Sequence, residues 1–159
     1  MTRFLAYAVW ASFAGALIPF VALLNVRLGR ALGEPLQAPL VLFVVGLAGA
    51  ILASTVLSGG LPDYRLLGRA SPADFAGGLI MLNYIFMVTL LAPRLGIGTV
   101  ILLAVTAQVL TSAAIDHYGW LGAASRSLGS MRLAGIGLVL AGLGCAQLAG
   151  AGQDAVAVP

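Results

Sequence analysis

Between Arg94 and Asp116 the chain runs for twenty-one residues without a charge, LGIGTVILLAVTAQVLTSAAI. At about 1.5 Å per residue, a helix of this length crosses a hydrocarbon core of about 30 Å. A single segment inside a bilayer must satisfy its own backbone polar groups, which leaves the helix as its conformation. Gln108, Thr111 and Ser112 interrupt the run at i, i+3, i+4 spacing and Asp116 follows four residues later, so all four project from one helix face. That stripe cannot face lipid, because an unpartnered amide or hydroxyl in hydrocarbon costs several kcal/mol. It requires another helix or a wet cavity.

Four further uncharged runs of similar length predict an all-α membrane protein with five transmembrane helices in a single domain over residues 1–159, with spans at 4–26, 36–58, 75–92, 95–115 and 133–152. The first run follows a lone Arg3 and is too long for the apolar region of a signal peptide. Pro19 is expected to kink it, Asn25 to cap its far end, and NVRLGRALGEP at 25–35 to be a polar connection restarted by Pro35. Trp10 lies about two turns in, as an interfacial anchor or a cavity residue. The second run carries Gly46, Gly49 and Ala53, a smooth strip suited to close packing. Ser71 before Pro72 reads as the N-cap of the third, which holds Asn83 and Tyr84 near mid-membrane as interhelical or substrate-binding groups. Pro93-Arg94-Leu95-Gly96 reads as a tight turn. The fifth carries Gly135, Gly137, Ala141, Gly142 and Gly144, and looks built for association with another helix.

With 61% hydrophobic and 8% charged residues, the composition excludes an ordinary soluble domain. All eight basic residues are arginines scattered between the spans, which argues for topology signals and against nucleic acid. Arg3, Arg65, Arg69, Arg126 and Arg132 fall on the side of the N-terminus and Arg27, Arg30 and Arg94 on the other, a weak bias that leaves both orientations open. The one cysteine, Cys145, reads as a small buried hydrophobe. Asp116 and His117 read as part of an interfacial girdle with Tyr118 and Trp120 rather than a proton relay, since no titratable residue within the spans continues one. No nucleophile-base pair, metal-ligand cluster or cofactor motif occurs, so an enzyme is the weakest of the three readings, behind a transporter and a non-transporting helical subunit.

The order GALIP, then LGRALG, FAGG, APRLG, AQVLTSAAIDHYGWLG and RLAGIGLVLAGLG resembles the YdcZ-like family of small bacterial inner-membrane proteins, within the drug/metabolite transporter superfamily. Phe20-Val21 and Ala107 depart from its usual Gln and Gly. The resemblance implies half of an antiparallel, inverted dimeric transporter that pairs with a second copy of itself or an oppositely oriented homologue. Its expected substrate-binding groups are Trp10, Asn83, Tyr84, Gln108, Thr111 and Ser112, and Gly135, Gly137, Ala141, Gly142 and Gly144 of the fifth span are its expected dimer interface. No Asp, Glu, Lys or Arg lies near the centre of a span, so a neutral, zwitterionic or anionic solute is expected rather than a permanent cation.

Overall fold

The computed structural model describes residues 2–154, and burial is described for 3–149. The described residues are helical apart from short connections, and five helices are long and apolar enough to cross a membrane: Arg3–Leu32, Pro35–Ser58, Pro72–Leu95, Ile97–Tyr118 and Ser130–Ala149. The chain divides into two units, one ending at Ile97 and the other beginning at Gly98.

In the first unit, α1 (Thr2–Leu32), α2 (Ala38–Ser58) and α4 (Ala76–Leu95) pack together, and a single turn, α3 (Tyr64–Leu67), lies in the connection between the last two. Helix α1 runs unbroken through Pro19 and six residues past the expected end at 26. The segment expected to be a polar connection is therefore mostly helix. Arg, Leu and Ala favour helix intrinsically, and burial of Asn25, Val26 and Gly29 supplies tertiary support. Gly33 stops α1 with φ +76°, a conformation that glycine adopts at no steric cost. Glu34 then caps a short 3-10 turn, Pro35–Gln37, its carboxylate accepting from the Leu36 amide at 3.2 Å. That turn comes so close to α1 that a Cβ on Gly29 would lie 2.9 Å from the Pro35 Cα.

Ser71 caps as expected. Its side chain accepts from the Ala73 amide at 3.4 Å, and Asp74 accepts from the Ser71 amide at 2.8 Å, a reciprocal box ahead of a 3-10 turn, Pro72–Phe75, leading into α4. The expected tight turn at residues 93–96 is instead the last turn of α4, with Pro93 and Arg94 inside it. The break falls on Gly96 alone, at φ +81°, and its amide closes the helix on the Ala92 carbonyl at 3.0 Å.

Buried positions in this unit gather at one end. They are Ala22, Asn25, Val26 and Gly29 on α1, Ala38 and Pro39 on α2, and Ile85, Val88, Thr89 and Ala92 on α4. The N-terminal part of α1 and the C-terminal half of α2 remain exposed or half-buried. The three helices are thus pinned where α1 and α4 end and α2 begins.

The second unit contains α5 (Ile97–Tyr118), a 3-10 turn at Trp120–Gly122 and α6 (Ser130–Asp154). Its connection is tied down by several contacts. The Arg126 amide donates to the Asp116 carbonyl at 2.6 Å, and Ser125 Oγ donates to the His117 carbonyl at 3.2 Å. Arg132 forms an ion pair with Asp116 at 2.6 Å. No described residue of α6 up to Ala149 is buried, so Cys145 is exposed, contrary to the buried position expected for it.

Candidate functional site

A cleft of about 370 Å³ opens between α1, α2 and α4, beside the pinned end. On α1 its wall is Ile18, Val21 and Ala22; on α4 it is Met81, Tyr84, Ile85 and Val88. Both sets follow helical i, i+3, i+4 spacing. The α2 wall includes Gly46, where an added Cβ would meet nothing within 4 Å, so the backbone itself borders the space. Tyr84 is the one lining residue with a polar side chain, and no charge lines the cleft.

Asn25 is not the interfacial cap expected of it. It is 3% exposed and bonded across the helix pair, its Nδ2 donating to Thr89 Oγ1 at 2.7 Å. Thr89 Oγ1 in turn donates to the Ile85 carbonyl one turn back, at 2.7 Å. The other amide atom, Asn25 Oδ1, is buried without a hydrogen-bond partner. A signal for this position exists in the sequence: Ile18, Val21, Ala22 and Asn25 stand at i, i+3, i+4, i+7, one continuous stripe.

The neighbours Asn83 and Tyr84 part company. Tyr84 lines the cleft, whereas Asn83 is exposed and, at 100° per residue, nearly opposite Ile85. Leu79 and Ile80 share its exposed side. Trp10 lines a separate, shallow groove on α1 with Leu5, Ala6, Val9 and Phe13, and it is 72% exposed. The structure therefore places Trp10, Asn83 and Tyr84 in three different surroundings within one unit.

On α5, Gln108, Thr111 and Ser112 are all exposed. Ser112 Oγ donates to the Val109 carbonyl at 2.9 Å, so it is satisfied by its own helix. Asp116 belongs to the same helix face by spacing but is held by Arg132. Beside it, His117 meets Tyr118 edge to face at 4.9 Å between ring centroids, and Tyr118 stacks on Trp120 at 5.6 Å. On α6 nothing lies within 4 Å of a Cβ placed on Gly135, Gly137, Gly142 or Gly144, and Ala141 is exposed. Gly49 and Ala53 on α2 are likewise uncovered. Among the described residues no group of His, Cys, Asp and Glu could hold a metal ion.

Five apolar helices with polar groups at membrane depth describe a multi-pass membrane protein, and a family model decides which kind. Residues 6–145 match the family described as "Putative inner membrane exporter, YdcZ". The chain belongs to this family. It is accordingly a multi-pass inner-membrane protein of an exporter family, which at that level of description supports a transporter. No curated protein and no solved structure was found to match it.

Proposed function

We propose that this chain is half of an exporter of a small organic solute or metabolite, and that its five spans form one transmembrane domain that pairs with an inverted second copy to work by alternating access. One observation carries the reading. Gln108 stands at the middle of α5, eleven residues from Ile97, and its amide is exposed on the chain's own surface together with Thr111. At that depth lipid cannot satisfy it. A partner chain, or a wet path shared with one, would.

Two further features support the pairing. The glycine faces of α6 are open, as suits a helix that meets another backbone across an interface. An odd number of spans puts the two ends of the domain on opposite sides of the membrane, so a second, inverted copy would generate the inverted repeat on which alternating access is commonly built. The weak arginine bias, five against three, is compatible with insertion in both orientations. The solute path is then assigned to Trp10, Asn83, Tyr84, Gln108, Thr111 and Ser112. The absence of Asp, Glu, Lys and Arg near the span centres favours a neutral, zwitterionic or anionic solute.

Cysteine cross-linking along α6, in a Cys145→Ala background, tests the arrangement. An antiparallel pair joins a cysteine near residue 134 to one near 146 of the other copy, whereas a parallel pair joins each position to itself. Orientation is checked by adding arginines at the exposed positions Ala31 and Leu32, which should leave a chain that pairs only with a variant carrying its added arginines at Leu66 and Leu67. Efficient self-pairing of the first variant alone would rule out the inverted dimer.

A further inference from the structure

Gln108 lies eleven residues from Ile97 and ten from Tyr118, within about 1 Å of the middle of its span. Three and four residues to either side stand Val105, Ala104, Thr111 and Ser112, and seven to either side stand Ile101 and Ile115. All share the face of Gln108, and none is buried. The buried residues Thr106 and Ala113 fall on the opposite side of α5 at 100° per residue. Ser112 Oγ is met by the Val109 carbonyl of its own helix at 2.9 Å, whereas the Gln108 amide has no described hydrogen-bond partner. An uncovered helix face thus carries an unmet amide at the one depth where nothing in the bilayer can meet it.

That depth selects the occupant. A residue at mid-span comes to the same depth in any second copy, upright or inverted, whereas a residue elsewhere does so only in an upright one. A carboxamide both donates and accepts, so two of them satisfy each other with two hydrogen bonds. We propose that this face of α5 seats the same face of a second copy, with the two Gln108 amides bonded to each other at the midplane of the membrane. In the inverted pair, Ala104 faces the partner's Ser112, Val105 the partner's Thr111 and Ile101 the partner's Ile115. Small residues then meet small ones on both sides of the amides, which lets the helices approach, and isoleucines close over each end. Each amide keeps one N–H and one lone pair, so the pair still offers polar groups to a solute beside it. The inference rests on the pairing proposed above and names the contact that pairing makes at Gln108.

Two measurements test it. Ala104→Cys and Ser112→Cys, each in a Cys145→Ala background, are co-expressed and oxidised in the membrane, which leaves Gln108 in place in both chains. Disulfides should join position 104 of one copy to 112 of the other, with few joining either position to itself. Separately, pairing is read by fluorescence transfer between donor- and acceptor-labelled chains as they are diluted in lipid vesicles. Gln108→Leu should pair about fivefold to tenfold more weakly, the loss expected for two hydrogen bonds of average interhelical strength in membranes. Each position linked only to itself keeps the Gln108 contact and overturns the inverted arrangement alone. Copies that cross-link along α6 yet form no disulfide from 104 or 112, or that pair as tightly in Gln108→Leu, overturn this contact alone. Copies that never pair overturn both.

Discussion

Replacing Asn25 by leucine should stabilise the first unit, although it deletes the one side-chain hydrogen bond described between α1 and α4. The deleted bond is worth about 0.6 kcal/mol by the average for interhelical bonds in membranes. The same substitution removes Oδ1, a buried acceptor without a partner, whose desolvation costs about 1–3 kcal/mol. Thr89 is not stranded, because its hydroxyl still donates to the Ile85 carbonyl. The balance is a gain of about 1 kcal/mol. Thr89→Val does the opposite: it keeps the shape but strips Nδ2 of its acceptor, so both ends of the buried amide go unmet, at about 1–3 kcal/mol of stability. The double variant should behave like Asn25→Leu alone, which makes the two changes strongly non-additive. Denaturant titration of the purified chain in mild detergent, followed by circular dichroism, measures all three. A loss in Asn25→Leu larger than that in Thr89→Val would refute the reasoning, since it would mean that Oδ1 is held by something in the purified protein.

The other expectations are more local. Gly29→Ala should cost about 1–3 kcal/mol in the same titration, because the new methyl would lie 2.9 Å from the Pro35 Cα, a backbone atom that cannot rotate away. Asp116→Asn removes the ion pair with Arg132, but both side chains are 37% exposed, so the loss should be at most about 1 kcal/mol and should shrink as salt is added. Gly137→Leu and Gly144→Leu should weaken pairing of copies in detergent while each chain stays helical; stable dimers in both would move the interface off that face. Gln108→Leu should leave the unfolding of the single chain nearly unchanged, because its exposed amide has no described partner to strand, while pairing or solute binding falls; an early loss of chain stability would place it in a helix contact instead.

Five spans were legible because bilayer thickness translates directly into run length, and every uncharged stretch of eighteen residues or more did become a membrane-capable helix. The Ser71 cap was legible for a similar reason, since a side chain bonding to amides two and three residues away is local chemistry. Helix ends were less so. Arg27 and Arg30 end the apolar run but not α1, because charge marks where hydrocarbon stops and says nothing about where backbone bonding stops; only Gly33 does that.

The polar residues divide along the same line. Spacing along one helix put Gln108, Thr111 and Ser112 on one face, and all three are exposed on α5, since a helix face is a property of a single segment. It could not separate Asn83 from Tyr84, adjacent in sequence and turned apart by the helix, because which side α1 and α2 cover depends on packing. Nor could it tell that Asn25 meets Thr89, sixty-four residues away, rather than water at a membrane surface. Length, hydrophobicity and capping act within a few residues and determined the helices from sequence alone. The cleft and the buried bond between Asn25 and Thr89 depend on separate helices converging, and only the tertiary structure decided them.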